Sequence, residues 1–301
     1  MMIYKNIIET IGNTPLVQLK TNDDEAEIYV KVESFNPSAS IKDRPVKYIL
    51  KNLMDERKLK KGDTVVEQTS GNTGIGLSMA GAALGLNIVI VMPESMSMER
   101  RQLMKAYGAE LVLTDKSLGM QGAKDKANEI AKERNAIVFG QFTNPANVKS
   151  HEETTAIEIL EDLPEVDGFV AGFGTGGTVT GVSKVLKNKL DNVTIWAVEP
   201  KDSPLLSEGK AGSHKIQGIG ANFVPEIFSG DNIDEYFLVG NEEAMEESVK
   251  LAREEGILCG ISSGANVVAA KALAKKLGKG KKVVTVLPDT GERYLKQGLF
   301  D

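Results

Sequence analysis

The chain of 301 residues is acidic, with 36 Lys and Arg against 42 Asp and Glu, and it holds 30 Gly but only 2 His, 1 Cys and 1 Trp. That length suits one large domain or two modest ones sharing a cleft, and an acidic balance without a polybasic run argues against nucleic acid. A single cysteine excludes an internal disulfide framework, so few His and Cys cannot build a zinc cluster, and any proton transfer falls to a lysine or a carboxylate.

The opening Met-Met-Ile-Tyr-Lys-Asn lacks the basic, apolar and small-residue succession of a secretion signal, so a cytoplasmic protein is expected. Short β-rich runs then alternate with helical patterns along the whole chain. After a polar, acidic loop at 21–25 come a strand at 27–33 and a helix at 43–57. Strands at 64–67, 87–92, 110–114 and 136–140 alternate with helices at 72–85, 97–107 and 117–134. A loop at 141–147, carrying Pro145, is the best candidate domain boundary. Beyond it lie helix 150–162, strand 168–172, helix 176–189, strands 193–198 and 235–239, helices 242–255 and 263–277, strand 282–287 and helix 291–297. The apolar stretch 75–92 breaks at Gly85-Leu86-Asn87 and reads as a helix followed by a strand, not a membrane span. Near-continuous apolar strands such as Ile88–Val91 suit a parallel sheet covered on both faces, so the chain is predicted to be α/β with right-handed crossovers.

In open parallel sheets, ligands sit beyond the carboxyl ends of the strands, and three of those loops are unusual. Thr69-Ser70-Gly71-Asn72-Thr73-Gly74 opens an apolar helix with outward-facing N–H groups, a ready anion site, whereas a plain cap needs one such residue. Gly172-Phe173-Gly174-Thr175-Gly176-Gly177-Thr178 also opens a helix and suits a phosphate. It fits G-x-G-x-x-G as well, and Glu199 follows 22 residues later at a strand end, so a dinucleotide site is a rival, as is a merely structural turn. In Asn36-Pro37-Ser38-Ala39-Ser40-Ile41-Lys42-Asp43-Arg44-Pro45, the proline suits a first helical turn and places Lys42 at the helix mouth. The field there favours a neutral, nucleophilic amine, and a solvated Lys42 paired with Asp43 is the plain alternative. The turns at 217–223 and 260–265 need no ligand when taken singly.

Taken together, Ser40-Ile41-Lys42-Asp43-Arg44, Thr69–Gly74, Gly174-Thr175-Gly176-Gly177-Thr178 and Gly260-Ile261-Ser262-Ser263-Gly264 resemble the cysteine synthase (O-acetylserine sulfhydrylase) and cystathionine β-synthase family, pyridoxal-phosphate enzymes of the tryptophan-synthase-β fold type. The resemblance runs from Ile11-Gly12-Asn13-Thr14-Pro15-Leu16 to Gly291-Glu292-Arg293-Tyr294. It implies an α/β fold of two open twisted, mainly parallel sheets flanked by helices, with pyridoxal 5'-phosphate in a cleft between a small mobile domain (43–145) and a larger one (1–42 and 146–301). Lys42 is then the Schiff-base lysine and the base for the α-proton, and Asn72 faces the cofactor's 3′-oxygen. Gly174, Thr175, Gly176, Gly177 and Thr178 match the phosphate loop, and Ser263 the hydroxyl at the pyridine nitrogen. Thr69, Ser70, Asn72, Thr73 and Gln141 match the groups that hold the substrate carboxylate, and Gly218 a backbone contact near its amine. The implied reaction is β-replacement on a serine-derived amino acid through α-aminoacrylate, first of all cysteine synthesis from O-acetyl-L-serine and sulfide. A homodimer is implied too, and some relatives dock a serine acetyltransferase tail.

Two positions depart from the sulfhydrylase pattern. Asn222 stands where those enzymes usually carry Gly and cystathionine synthases have an Asp nearby, and Cys259 where Ala or Val is usual. Asn222 could hydrogen-bond a hydroxyl or thiol. That gives the alternative of a cysteine- or serine-consuming enzyme making lanthionine, cystathionine or serine, with hydrogen sulfide released from cysteine. Gln68 and Asp289-Thr290 receive no role. Cys259 reads as a packed hydrophobe in an apolar strand, His151 and His214 as structural or solvated, and Met92, Met96, Met98 and Met104 as packing. No metal site is expected.

Overall fold

The computed structural model describes residues 3–301; Met1 and Met2, where the reading of the N-terminus begins, lie outside the described residues. In chain order the strands are β1 (Leu16–Gln18), β2 (Glu27–Val32), β3 (Thr64–Gln68), β4 (Asn87–Pro93) and β5 (Glu110–Thr114). They continue as β6 (Ile137–Val138), β7 (Gly168–Gly172), β8 (Thr194–Pro200), β9 (Glu235–Val239) and β10 (Lys282–Leu287). The helices are α1 (Asp43–Asp55), α2 (Asn72–Leu84), α3 (Met98–Ala106), α4 (Gly119–Arg134) and α5 (Ala146–Ser150). After these come α6 (Ala156–Asp162), α7 (Gly177–Lys189), α8 (Leu205–Glu208), α9 (Asn241–Glu254) and α10 (Ile261–Leu277).

These elements form two compact units. The first comprises the described residues up to Ile11 with Asn36–Asn147, and the second Gly12–Phe35 with Val148–Asp301. Lys42 therefore belongs to the first unit. There the sheet has the order β5-β4-β3-β6, all parallel. Helix α2 is apolar all round because it is buried: one side faces the sheet, and Gly81 lets its backbone approach Ile88 of β4. Gly85, at φ 68, ends it in the left-handed conformation. The opposite face of the sheet is covered by Ala123, Ala127 and Ile130 of α4.

In the second unit the order is β1-β2-β10-β7-β8-β9, parallel except for the β1–β2 pair. One face carries Val267, Ala270 and Leu273 of α10 with Leu251 of α9, and the other Val179, Val182 and Leu186 of α7 with Ile159 of α6. Where α9 meets α10, a side chain on Gly264 would collide with the Ala244 carbonyl oxygen and the Ser248 backbone. That glycine sets the spacing of the two helices.

Several expected elements change shape. The strand expected at 136–140 shortens to β6, because Gly140 turns out of the ladder at φ 72. The helix expected from 150 starts at Ala146 and contains a π turn at His151–Thr155. Cys259 lies in no strand and makes a single antiparallel bridge to Thr290. The last helix, Gly291–Gln297, is of the tighter 3₁₀ type. Among the described residues no helix is long and apolar enough to cross a membrane.

Replacing Gly264 by Ala forces a methyl group against carbonyl and amide backbone that cannot rotate away. Denaturant unfolding of Gly264→Ala is expected to show a loss of about 3 kcal/mol, at the upper end for overpacking.

Candidate active site

Each sheet contains one reversal of strand order, and the loops carrying Thr69–Thr73, Gln141 and Gly174–Thr178 leave strands at those reversals. In the first unit the chain steps from β3 outward to β4 and β5, then returns to lay β6 on the other side of β3. The loops leaving β3 and β6 therefore diverge and leave a crevice at their carboxyl ends. Thr69 donates its N–H to the Val91 carbonyl at 3.1 Å and accepts the Gly71 N–H on its hydroxyl at 3.3 Å. Gly71 then begins α2 with no side-chain cap, so the positive end of that helix is left to an outside anion. Thr73 donates its hydroxyl to Gln141 Oε1 at 2.7 Å, joining the two loops. Thr69, Thr73 and Gln141 are buried, while Ser70 and Asn72 are half-buried.

Lys42 is the cap residue of α1, half-buried, with its N–H donated to Ser40 Oγ at 3.2 Å. The loop before it is fixed by Asp43, whose buried carboxylate accepts the Ser38 N–H at 2.7 Å and the Ser38 hydroxyl. A Cβ on Gly76 would lie 2.8 Å from Asp43 Oδ1, so the start of α1 rests on α2 one turn after Asn72. The structure thus brings Lys42 to the same helix pair as Thr69–Thr73.

The second unit repeats the reversal. From β7 the chain moves outward to β8 and β9 and returns to place β10 on the far side of β7. Beyond β7, Gly176 caps α7 at φ 84 with no side-chain bond. A Cβ on Gly174 would lie 2.5 Å from the Gly218 carbonyl oxygen, and the Gly220 N–H donates to the Phe173 carbonyl at 2.7 Å. The 174–178 and 218–220 loops are therefore packed backbone to backbone. Thr175 accepts the Gly177 N–H at 3.3 Å, and Thr178 Oγ1 lies 3.3 Å from His151 Nε2, whose Nδ1 is 2.9 Å from Thr155 Oγ1. His151 is buried in the π turn and is structural; His214 is 3.0 Å from the Gly220 carbonyl through Nε2.

Ser263 lies in the first turn of α10, wholly buried, with the Cys259 thiol, a weak partner, beside its Oγ. A buried hydroxyl so weakly partnered marks a place where a ligand acceptor fits. Together with the uncapped glycine loop 174–178, it fits a phosphorylated pyridine: amides for the phosphate and a hydroxyl for the ring nitrogen. Asn222 occupies an exposed loop, with Oδ1 accepting from Ser203 Oγ at 3.2 Å.

The dinucleotide alternative loses its acid here. Both oxygens of the buried Glu199 are taken by the N–H groups of Leu206 and Ser207, at 2.6 and 3.0 Å, where they cap α8. Burial pushes the Cys259 thiol up to about 12, which leaves it an inert packed group. Met92 and Met104 are buried and Met96 half-buried as packing residues, whereas Met98 is exposed. Among the described residues no three His, Cys, Asp or Glu side chains gather as a metal site.

One buried group is absent from the sequence reading. Glu67, at the end of β3, accepts the Gly140 N–H at 2.9 Å and the Gln141 N–H at 3.4 Å. Burial raises its carboxyl to about 7, against the opposing pull of those donors. An acid directly after the apolar pair Val65-Val66 was the available signal.

A profile of the pyridoxal-phosphate dependent enzyme family matches residues 7–289. Cysteine synthase B of Campylobacter jejuni is 52% identical over 302 residues, covering 100% of both chains. Among solved structures, O-ureido-L-serine synthase superposes with a TM-score of 0.97 at 44% identity, covering 100% of this chain and 96% of that one. A hydrogen sulfide-producing enzyme from Fusobacterium nucleatum superposes with a TM-score of 0.93 at 45% identity, over 97% of this chain and 100% of that one.

Because the Glu67 carboxyl sits higher in the fold than its ordinary 4.5, its favourable contribution is complete below that value and is lost as pH rises to about 7. Unfolding of wild type and Glu67→Gln between pH 5 and 8 should show the wild type losing up to about 3 kcal/mol relative to the variant, levelling above pH 7.

Proposed function

The chain belongs to the pyridoxal-phosphate dependent enzyme family, and we propose that it makes L-cysteine by β-replacement, exchanging the acetate of O-acetyl-L-serine for sulfide. The observation that carries this reading is full-length identity of 52% to a cysteine synthase in a chain that presents Lys42 and the uncapped 69–73 loop on adjoining helices. When bound, pyridoxal 5'-phosphate supplies an aldehyde that takes up amines and a conjugated ring that accepts the electron pair left at Cα.

The chain's own residues then divide the work. Lys42 Nζ supplies the amine that holds the cofactor and, once released, takes the proton from the substrate Cα and later returns it. Thr69, Ser70, Asn72, Thr73 and Gln141 hold the α-carboxylate at the positive end of α2, which fixes the Cα–H bond toward the lysine. Asn72 would also hold the cofactor's 3′-oxygen. Gly174, Thr175, Gly176, Gly177 and Thr178 would hold its phosphate through backbone N–H and hydroxyl groups, and Ser263 would hydrogen-bond the ring nitrogen. A hydroxyl there, unlike a carboxylate, would not drive protonation of that nitrogen, which would favour loss of a β-substituent over transamination. Gly218 offers backbone near the substrate amine. Acetate leaves from Cβ, and hydrosulfide adds to the same carbon, giving cysteine with the α-proton restored.

Asn222 supports a second reading. Its amide, on an exposed loop, can hydrogen-bond a hydroxyl or thiol at Cβ. L-cysteine or L-serine is then the first substrate, with hydrogen sulfide released from cysteine, and the fold likeness to a hydrogen sulfide-producing enzyme is consistent with it. The sequence resemblance also supports a homodimer, a small mobile domain over 43–145 and a serine acetyltransferase as candidate partner.

Borohydride reduction of cofactor-loaded protein should add a pyridoxyl mass to the peptide carrying Lys42, and to no other. Lys42→Ala should lower cysteine formation from O-acetyl-L-serine and sulfide by about 10³-fold or more. An adduct on another lysine would overturn the assignment. Faster sulfide release from L-cysteine than cysteine formation, lost in Asn222→Gly, would favour the second reading.

A further inference from the structure

Glu67 lies beside the proposed substrate contacts yet takes no part in the reaction derived above. It stands at the penultimate position of β3, with no exposed surface, opposite Ile90 of β4. A carboxyl in such surroundings is costly unless its oxygens are bonded. They are bonded to the segment after β6, by the Gly140 N–H at 2.9 Å and the Gln141 N–H at 3.4 Å, and the Gln141 side-chain amide lies close enough to favour the charged carboxylate.

A primary amide has one donating and one accepting end. With its NH₂ group on Glu67, Gln141 turns Oε1 toward Thr73 and accepts that hydroxyl at 2.7 Å. The backbone carbonyl of Gln141 accepts from Asn147 Nδ2 at 2.8 Å, which anchors the residue. The reversed amide would set an NH₂ group at the Thr73 hydroxyl and an oxygen against the carboxylate, so Glu67 decides which way the amide points. Across the ladder Glu67 is paired with Ile90 of β4, and no charged side chain among the described residues contributes to its shift. Burial holds its carboxyl at about 7, so both proton states are populated near neutrality.

We propose that Glu67 is a positioning residue for the substrate: its ionised form fixes the Gln141 amide, and through it the Thr73 hydroxyl, in the orientation that receives the α-carboxylate. The proposal rests on the reading of Thr73 and Gln141 as carboxylate contacts. On protonation the new O–H is a donor facing donors, the amide turns, and the clamp loosens. Affinity for a carboxylate-bearing ligand therefore rises with pH through about 7.

The test uses cofactor-loaded enzyme and two ligands: L-alanine, which has no β-leaving group, and L-alaninamide, which has no carboxylate. Equilibrium binding is followed by cofactor absorbance at pH 6, 7 and 8 for wild type, Glu67→Gln, Glu67→Asp and Thr73→Ala. Each ligand is compared between proteins at one pH, so its own ionisation cancels. Glu67→Gln should weaken L-alanine about tenfold at pH 8 and leave L-alaninamide within about twofold, with the gap closing toward pH 6. Glu67→Asp keeps the charge but draws it back one methylene; it should shift binding in the same direction and serves if the amide variant does not fold. Equal weakening of both ligands, or a gap unchanged between pH 6 and 8, overturns the proposal. If Thr73→Ala weakens L-alanine and both Glu67 variants do not, this inference alone fails. If none of the three does, the carboxylate reading fails with it.

Discussion

A helix that starts without a cap leaves backbone N–H groups in need of an acceptor, and this fold begins α2, α7 and α10 in that way. In each case glycine occupies the cap position and offers no side-chain oxygen. Placing α2 and α7 just after a strand that borders a reversal of sheet order opens space in front of those donors. The parallel sheets are thus the means, and the unsatisfied helix starts are the end that the rest of the chain is arranged to present.

Close backbone packing keeps those starts in place. Gly76 admits Asp43, Gly81 admits Ile88, Gly174 admits the Gly218 carbonyl and Gly264 admits Ala244. Each lacks a side chain because a neighbour occupies that volume. Gly174 falls in both groups, since it lies in the loop read as the phosphate site and also packs against the Gly218 carbonyl, whereas Gly76, Gly81 and Gly264 serve packing alone.

Much of this was legible in order along the sequence. The strands at 110–114, 168–172, 235–239 and 282–287 coincide with β5, β7, β9 and β10, because continuous apolar runs between glycine-rich turns are local signals. The loops at 69–74 and 172–178 were legible for the same reason. β1 escaped notice because three residues are too few to show alternation. Glu67 escaped because its partners, Gly140 and Gln141, lie more than 70 residues away and come into view only when β6 is laid beside β3. Glu199 misled in the opposite direction: its spacing from the glycine run suggested a ribose contact, and a helix seven residues downstream had already claimed it.

The π turn at His151–Thr155 adds a widened loop of backbone to the helical run from Ala146 to Asp162. An α-helix advances about 100° per residue, so removing one residue there would leave a straighter, locally sounder helix while swinging everything before it through more than a quarter turn. His151 would then face away from Thr178 and the ring-to-hydroxyl contact would be gone. The bulge is a phase correction: the helix gives up regular hydrogen bonding so that its two ends can each keep the face they need.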